Sequence, residues 1–362
     1  MKRTIAILLS MMMCAGLLAG CGVAPAPSDA AASAAASAAQ PASEPAEPAA
    51  PAASATGAVP TGDKPIALLI PSPVGDPFIA LCVKGLEKLS EETGAELKII
   101  ETLDKAEYED QVRAMAELGA NPVYCMWGDL SELAVKVAPE YPDTKFILAD
   151  VYMKTNQPNV SSISVDPYAS SFIAGYVAAN NTEAKKVGFI AHADRPVSRR
   201  YRDGFIAGVH YVDESIPVEV AYVGNDQDPV KGQEVAKLMV QNNGVDLIFQ
   251  SASRSGLGVI AGCADQGIKC IGSDDWQGDV DPCVFWSALK PFDEALYIEG
   301  KSVFDGTYES GDKAYGLEQG LPMYDQRDFD KLPEELQQGV LAVVEGIKSG
   351  EIKITEDENV VQ

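Results

Sequence analysis

Histidine is nearly missing from this chain: of 362 residues, only His192 and His210 carry an imidazole. That starves a zinc site or a Ser-His centre of its usual ligands and bases. No Cys-x-x-Cys pair, glycine-rich phosphate loop, HExxH helix, EF-hand loop or GxSxG elbow occurs either. Basic residues are scarce: 28 Lys and Arg stand against 53 Asp and Glu, a formal net charge of -25. Phosphate backbones need a basic face, so nucleic acid is excluded as a partner, and the same charge opposes lying flat on an anionic membrane. The chain thus offers no catalytic constellation, no metal site and no cofactor motif. It reads as a binding protein rather than an enzyme, with an acidic, monomeric surface.

What is present begins with a leader. Met1-Lys2-Arg3 is a short positive segment, and Thr4 to Ala15 is an apolar run too short to span a bilayer. Leu17-Leu18-Ala19-Gly20-Cys21 resembles the bacterial lipobox, in which the cysteine becomes the lipidated first residue. Residues 1–20 are therefore expected to be a signal peptide, with Cys21 anchoring the mature chain to the extracytoplasmic face of the cell membrane. Residues 22–62 are nearly all Ala, Pro, Ser, Gly and Glu. Such a composition cannot bury enough apolar surface to fold. Segment 21–62 thus reads as lipidated cysteine plus disordered tether, reaching on the order of 35 Å as coil.

Seven cysteines occur. Cys14 leaves with the leader and Cys21 takes lipid, leaving Cys82, Cys125, Cys263, Cys270 and Cys283. Most should be buried small hydrophobes. One disulfide among Cys263, Cys270 and Cys283 stays open at this point.

After Lys64 the pattern changes. Ile66-Ala67-Leu68-Leu69-Ile70 is a continuous apolar run of the kind buried on both faces of a parallel sheet. A helix is expected from Pro77 to Thr93, closed by Gly94. Strand and helix then alternate to Asn180, and the alternation restarts at Lys186 and continues to Gly272. Such alternation implies parallel sheets covered on both faces, and two runs imply two similar lobes. The expected division is lobe 1 over 63–182, lobe 2 over 183–285, and a return over 286–362, mainly to lobe 1 with a C-terminal helix. Ligands of open α/β sheets bind outside the carboxyl ends of the strands, so two facing lobes make a cleft there.

Several stretches carry a family resemblance: KVGFIAHADRPVSRRYRDGFIAGV, YVGNDQDPVKGQEVA, DLIFQSASRSGLGV, KCIGSDD, SALKPFDEAL, and the ending KLPEELQQGV followed by IKSGEIK. In this order, behind a lipobox, they resemble the basic membrane protein family of ABC-transporter solute-binding lipoproteins. The best-understood members of that family are purine nucleoside receptors. The resemblance spans most of residues 64–353. It implies a type I periplasmic-binding-protein fold: two doubly wound parallel-sheet lobes, a hinge, and a closing ligand cleft. It implies a small nucleoside-like ligand, and an ABC permease with its ATPase as partners.

Residue by residue, Asp150 in KFILAD matches a carboxylate facing the ligand. Asp274 in CIGSD matches a carboxylate for the ribose hydroxyls, and Lys290 in SALKP matches a ribose-contacting lysine. Gly256 and Gly258 match a turn that lets backbone approach the ligand. Three positions depart from the pattern. The first loop reads Gly75-Asp76-Pro77-Phe78-Ile79, with Ile79 where the family has a ligand-binding Asn. The Gly224-Asn225-Asp226 turn lacks the ring that stacks on a base, and Val83 stands where an aromatic is common. The ribose half is kept and the base half altered. A purine nucleoside is the favoured ligand. A sugar, a flavin-like ring or another aromatic metabolite is the alternative, as is a sensory role without transport.

Other residues have two readings each. Phe78, Trp127, Tyr152 and Trp276 sit at strand ends or in the loops that follow, where they could stack on a flat ligand or pack between lobes. Asp76 could bond a ligand, but with Pro77 at the first helical position it reads foremost as a helix cap. Arg254 is a candidate ligand contact. Arg195, Arg199 and Arg200 read as a solvated face or a lobe–lobe salt bridge, Trp286 as core or hinge, and Ser251, Ser253 and Ser255 as hydrogen-bonders without a base to activate them.

Overall fold

The computed structural model describes residues 63–354; the leader, Cys21 and the tether lie outside them. The first lobe starts with β1 (Ile66–Ile70), α1 (Pro77–Thr93), β2 (Leu97–Glu101), α2 (Tyr108–Glu117), β3 (Val123–Met126), α3 (Trp127–Val137), β4 (Phe146–Ala149) and β5 (Val160–Val165). The second contains α4 (Tyr168–Asn181), β6 (Val187–Ala191), α5 (Pro196–Val212), β7 (Val218–Tyr222), α6 (Pro229–Asn243), β8 (Leu247–Ser251), α7 (Ser253–Gln266), β9 (Lys269–Asp274) and β10 (Val284–Leu289). The chain then returns through α8 (Phe292–Phe304), β11 (Gly311–Tyr315), α9 (Gln326–Phe329) and α10 (Glu334–Lys348).

Every pair within the two sheets is parallel. The first sheet runs β2-β1-β3-β4-β5-β11 and the second β7-β6-β8-β9-β10. In both, the order reverses beside the opening strand, between β1 and β3 and between β6 and β8. Helices cover both faces of each sheet, which is why β1, β3, β4, β5, β6 and β8 are buried along their length. Apolar residues gather into two cores on either face of the first sheet and two on either face of the second.

The boundary between lobes differs from the sequence expectation. Helix α4 lies in the core of the second sheet with Phe205, Phe249 and Trp286. It crosses α5 closely: a Cβ on Gly208 would stand 1.9 Å from the Phe172 carbonyl oxygen, and one on Gly175 would stand 2.2 Å from the Phe205 carbonyl oxygen. The first crossing is therefore at Asp166–Pro167, not near residue 182. The chain crosses back at Lys290–Pro291, so that α8 packs on α1 and β11 pairs with β5. It crosses a third time after Gly316: Leu321, Met323, Phe329, Val340 and Val343 join the second lobe's core. The return is thus divided between the lobes rather than held mainly by the first.

Candidate ligand-binding site

The cleft is built from the carboxyl ends of strands. Five described non-glycine residues have positive φ, and four stand at such ends: Trp127 after β3 (φ 62), Asp150 after β4 (φ 59), Ser253 after β8 (φ 51) and Asp274 at the end of β9 (φ 70). A left-handed backbone costs about 1–3 kcal/mol where the residue is not glycine, and it persists only where the surroundings impose it. Asp tolerates it through local hydrogen bonds, whereas a bulky Trp does not. The turns at Trp127, Asp150 and Asp274 bring their side chains toward Lys290 and Tyr201.

Lys290 forms the centre. It is 2% exposed, and its Nζ donates to Asp150 Oδ1 at 2.6 Å. The ammonium also lies 4.6 Å from the Phe78 ring centroid and 5.6 Å from that of Phe292, both faces favourable for a cation. Trp127 Nε1 donates to the other oxygen of Asp150 at 3.1 Å. The Lys290 backbone N–H donates to the Asp274 carbonyl at 2.9 Å, which ties the hinge crossing to the end of β9. Asp274 takes a hydrogen bond from the Tyr201 hydroxyl and another from Ser273 Oγ at 3.2 Å. Burial pushes its carboxyl above the usual range, and the Asp150 charge adds to that; Lys290 and the Tyr201 hydroxyl oppose it. Beneath these groups lies Cys82 of α1, a thiol that burial holds well above its ordinary pKa, with Asp150 pushing the same way.

Two buried glutamines brace Ser273, the residue before Asp274. Gln250 Nε2 donates to Gln277 Oε1 at 2.7 Å, and that oxygen also accepts the Ser273 N–H at 3.2 Å. Gly256 belongs to this support. A Cβ there would lie 2.0 Å from Gln250 Oε1, so the glycine makes room for a side chain rather than for a ligand. Gly258 serves helix packing, since its Cβ would meet the Pro229 carbonyl oxygen at 1.7 Å.

Asp76 does two things. Its Oδ1 caps α1, accepting from the N–H groups of Phe78 (3.0 Å) and Ile79 (3.4 Å). Its Oδ2 accepts from Gln227 Nε2 of the opposite lobe at 3.1 Å. Lys84 of α1 stands 4.0 Å from Asp275 of the second lobe, so the lobes touch across the cleft.

Tyr152, Trp276 and Arg254 make no hydrogen bond to Asp150, Asp274 or Lys290. Trp276 is held by the return segment: its Nε1 donates to buried Asp328 at 3.1 Å and the Arg327 guanidinium covers its ring at 3.6 Å. Tyr152 lines a cavity of about 670 Å³ on the hinge side, with Asp166, Tyr168, Arg200 and Tyr315. Arg200 forks onto Asp166 and stacks 4.5 Å from the Tyr168 ring, which makes it a bridge between the second lobe and the first crossing. Arg254 is exposed on the first turn of α7, without a hydrogen bond or ion pair among the described residues. Trp286 is core, stacked on Tyr324 at 5.1 Å. The five described cysteines are all free thiols. Tyr201, Gln227, Gln250 and Gln277 were not singled out by sequence; their partners lie between 27 and 151 residues away, beyond the reach of any local signal.

One ammonium bonded to Asp150, with the Asp274 carboxyl at the neighbouring strand end, gives a hydrogen-bonding site rich in acceptors. It suits hydroxyl groups, whose protons the carboxylates accept and whose oxygens the lysine meets. With two lobes, a triple crossing and strand-end polar groups, the molecule is a cleft-type solute-binding protein. The family model of PnrA-like ABC-transporter substrate-binding proteins (Bmp) matches residues 64–358, and the chain belongs to that family. It is 26% identical over 273 residues to basic membrane protein A2 of Borrelia garinii subsp. bavariensis, covering 73% of this chain and 80% of that one. It is 26% identical to a purine-binding protein of Brucella abortus over 68% of this chain and 69% of that one. It is also 28% identical to the nucleoside-binding protein BmpA of Lactococcus lactis subsp. cremoris, over 43% of this chain and 44% of that one. Among solved structures, an ABC-transporter solute-binding protein from Aeropyrum pernix K1 superposes with a TM-score of 0.67 at 25% identity, over 82% of this chain and 95% of that one. Family and fold are those of extracytoplasmic solute-binding proteins, not of enzymes. Among the described residues no helix is long and apolar enough to cross a membrane.

Proposed function

We propose that this protein is the lipid-anchored receptor of an ABC importer, capturing a nucleoside, with a purine nucleoside favoured. The observation that carries this reading is the Asp150–Lys290–Asp274 cluster at the strand ends. It offers carboxylate acceptors and one ammonium donor, the chemistry that vicinal ribose hydroxyls bond. Ligand enters the open cleft against one lobe, and rotation about the three crossings closes the other over it. The permease then takes up the closed form, and its ATPase supplies the energy. The relatives described as purine-binding and nucleoside-binding support the ligand class.

Calorimetric titration of the purified full chain with inosine, guanosine, adenosine and D-ribose tests the reading. At least one nucleoside should bind, and Asp274→Ala should abolish it. Binding of the sugar alone would replace the nucleoside with a simple sugar and keep only the receptor architecture. The anchor is tested separately: Cys21→Ala should move the protein from the membrane fraction to the soluble fraction, and retention on the membrane would refute lipidation there.

A further inference from the structure

The two sheets reverse their strand order at equivalent places, and ligands of such sheets bind at these reversals. In the first lobe, the loop that leaves the reversal after β1 carries Asp76. In the second, the residue directly after β6 is His192. Asp76 is already bonded across the cleft to Gln227. His192 Nδ1 is buried and has no hydrogen-bond partner in the protein. Native structures rarely leave such an atom alone unless something else uses it. Burial holds the imidazole below its ordinary pKa, and Arg195 acts the same way; Asp226, the Ser251 carbonyl and Asp76 oppose them. Burial thus favours the neutral imidazole, in which one nitrogen donates and the other accepts.

We propose that His192, Gln227 and Asp76 form a second polar subsite, which reads the hydrogen-bonding edge of the ligand's heterocycle while Asp150, Asp274 and Lys290 hold its hydroxyls. The subsite joins one residue of the first lobe to two of the second, so it is complete only in the closed cleft. Its chemistry favours a neutral, planar ring that presents both a donor and an acceptor along one edge, such as a lactam N–H and its carbonyl. Ile79 offers no polar group to that edge, and the Gly224-Asn225-Asp226 turn offers no ring to stack on it. This inference rests on the nucleoside reading above.

The test is calorimetric titration of the full chain with inosine, comparing wild type, His192→Leu and His192→Asn. The asparagine places an amide close to where Nδ1 stood. His192→Leu should weaken inosine binding about tenfold, the value of one ordinary hydrogen bond, with thermal melting unchanged, and His192→Asn should recover most of the loss. Unchanged inosine affinity in His192→Leu, or a loss that asparagine does not repair, overturns the subsite while leaving the nucleoside reading intact. A wild-type chain that binds none of the nucleosides fells that reading itself, and this one with it.

Discussion

The two ends of the cleft are built on different terms. Around Lys290 each charged group is already engaged: the ammonium by Asp150 and two rings, Asp150 by Trp127, Asp274 by Tyr201 and Ser273. That end is organised by the protein's own groups, and left-handed residues at three strand ends hold it. The other end is sparse, with one bond between lobes and a ring nitrogen without a partner. A pre-organised end binds without reordering its side chains, so it supplies affinity at little entropic cost. An end that spans the cleft reports closure and discriminates between ligands, since it is complete only when both lobes meet around the right one.

The largest expected effect comes from breaking the organised end. Lys290→Met leaves Asp150 half-buried without its cation, which should cost about 3 kcal/mol of stability as well as ligand binding. Denaturant titration measures the first and calorimetry the second. Adding Asp150→Asn should restore most of the stability and none of the binding. A double variant as unstable as the single would show that the lysine acts through packing on Phe78 and Phe292 rather than through the ion pair.

Asp274→Asn should produce a smaller and two-sided effect. The folded-state carboxyl titrates above its unfolded value, so its contribution favours the fold below the ordinary carboxylate range and is lost as pH rises through the raised value. Removing the charge should therefore raise the melting temperature at neutral pH by about 2 °C while weakening nucleoside binding about 10- to 100-fold. A melting temperature that falls would mean that Tyr201 and Ser273 need the charge more than burial opposes it.

Much of this was legible in the residues. The apolar run Ile66–Ile70 and the helix from Pro77 to Thr93 lie where expected, with Asp76 as cap and Gly94 left-handed at the end. Asp150, Asp274 and Lys290 stood at readable strand ends and come together. Helix α4 was assigned to the wrong lobe for a physical reason. Its sequence is apolar on nearly every side, so no polar face says which sheet it covers; the glycines that lock it on α5 act through a partner some 30 residues away. Gly256 was matched to a turn that lets backbone approach the ligand, whereas a Cβ there would collide with Gln250. Support of that kind depends on volume in three dimensions, which a linear pattern does not carry.

The triple crossing also decides where this chain can be divided. The edge strand of the first sheet, β11, is made from residues 311–315, beyond every strand of the second sheet. The second lobe's core is completed by α10, from the far end of the described chain. Each lobe therefore borrows its last piece from beyond the other. A protein cut at Val165 would leave β5 as a bare hydrogen-bonding edge open to self-association, so neither half can be inherited, shuffled or expressed as a module on its own.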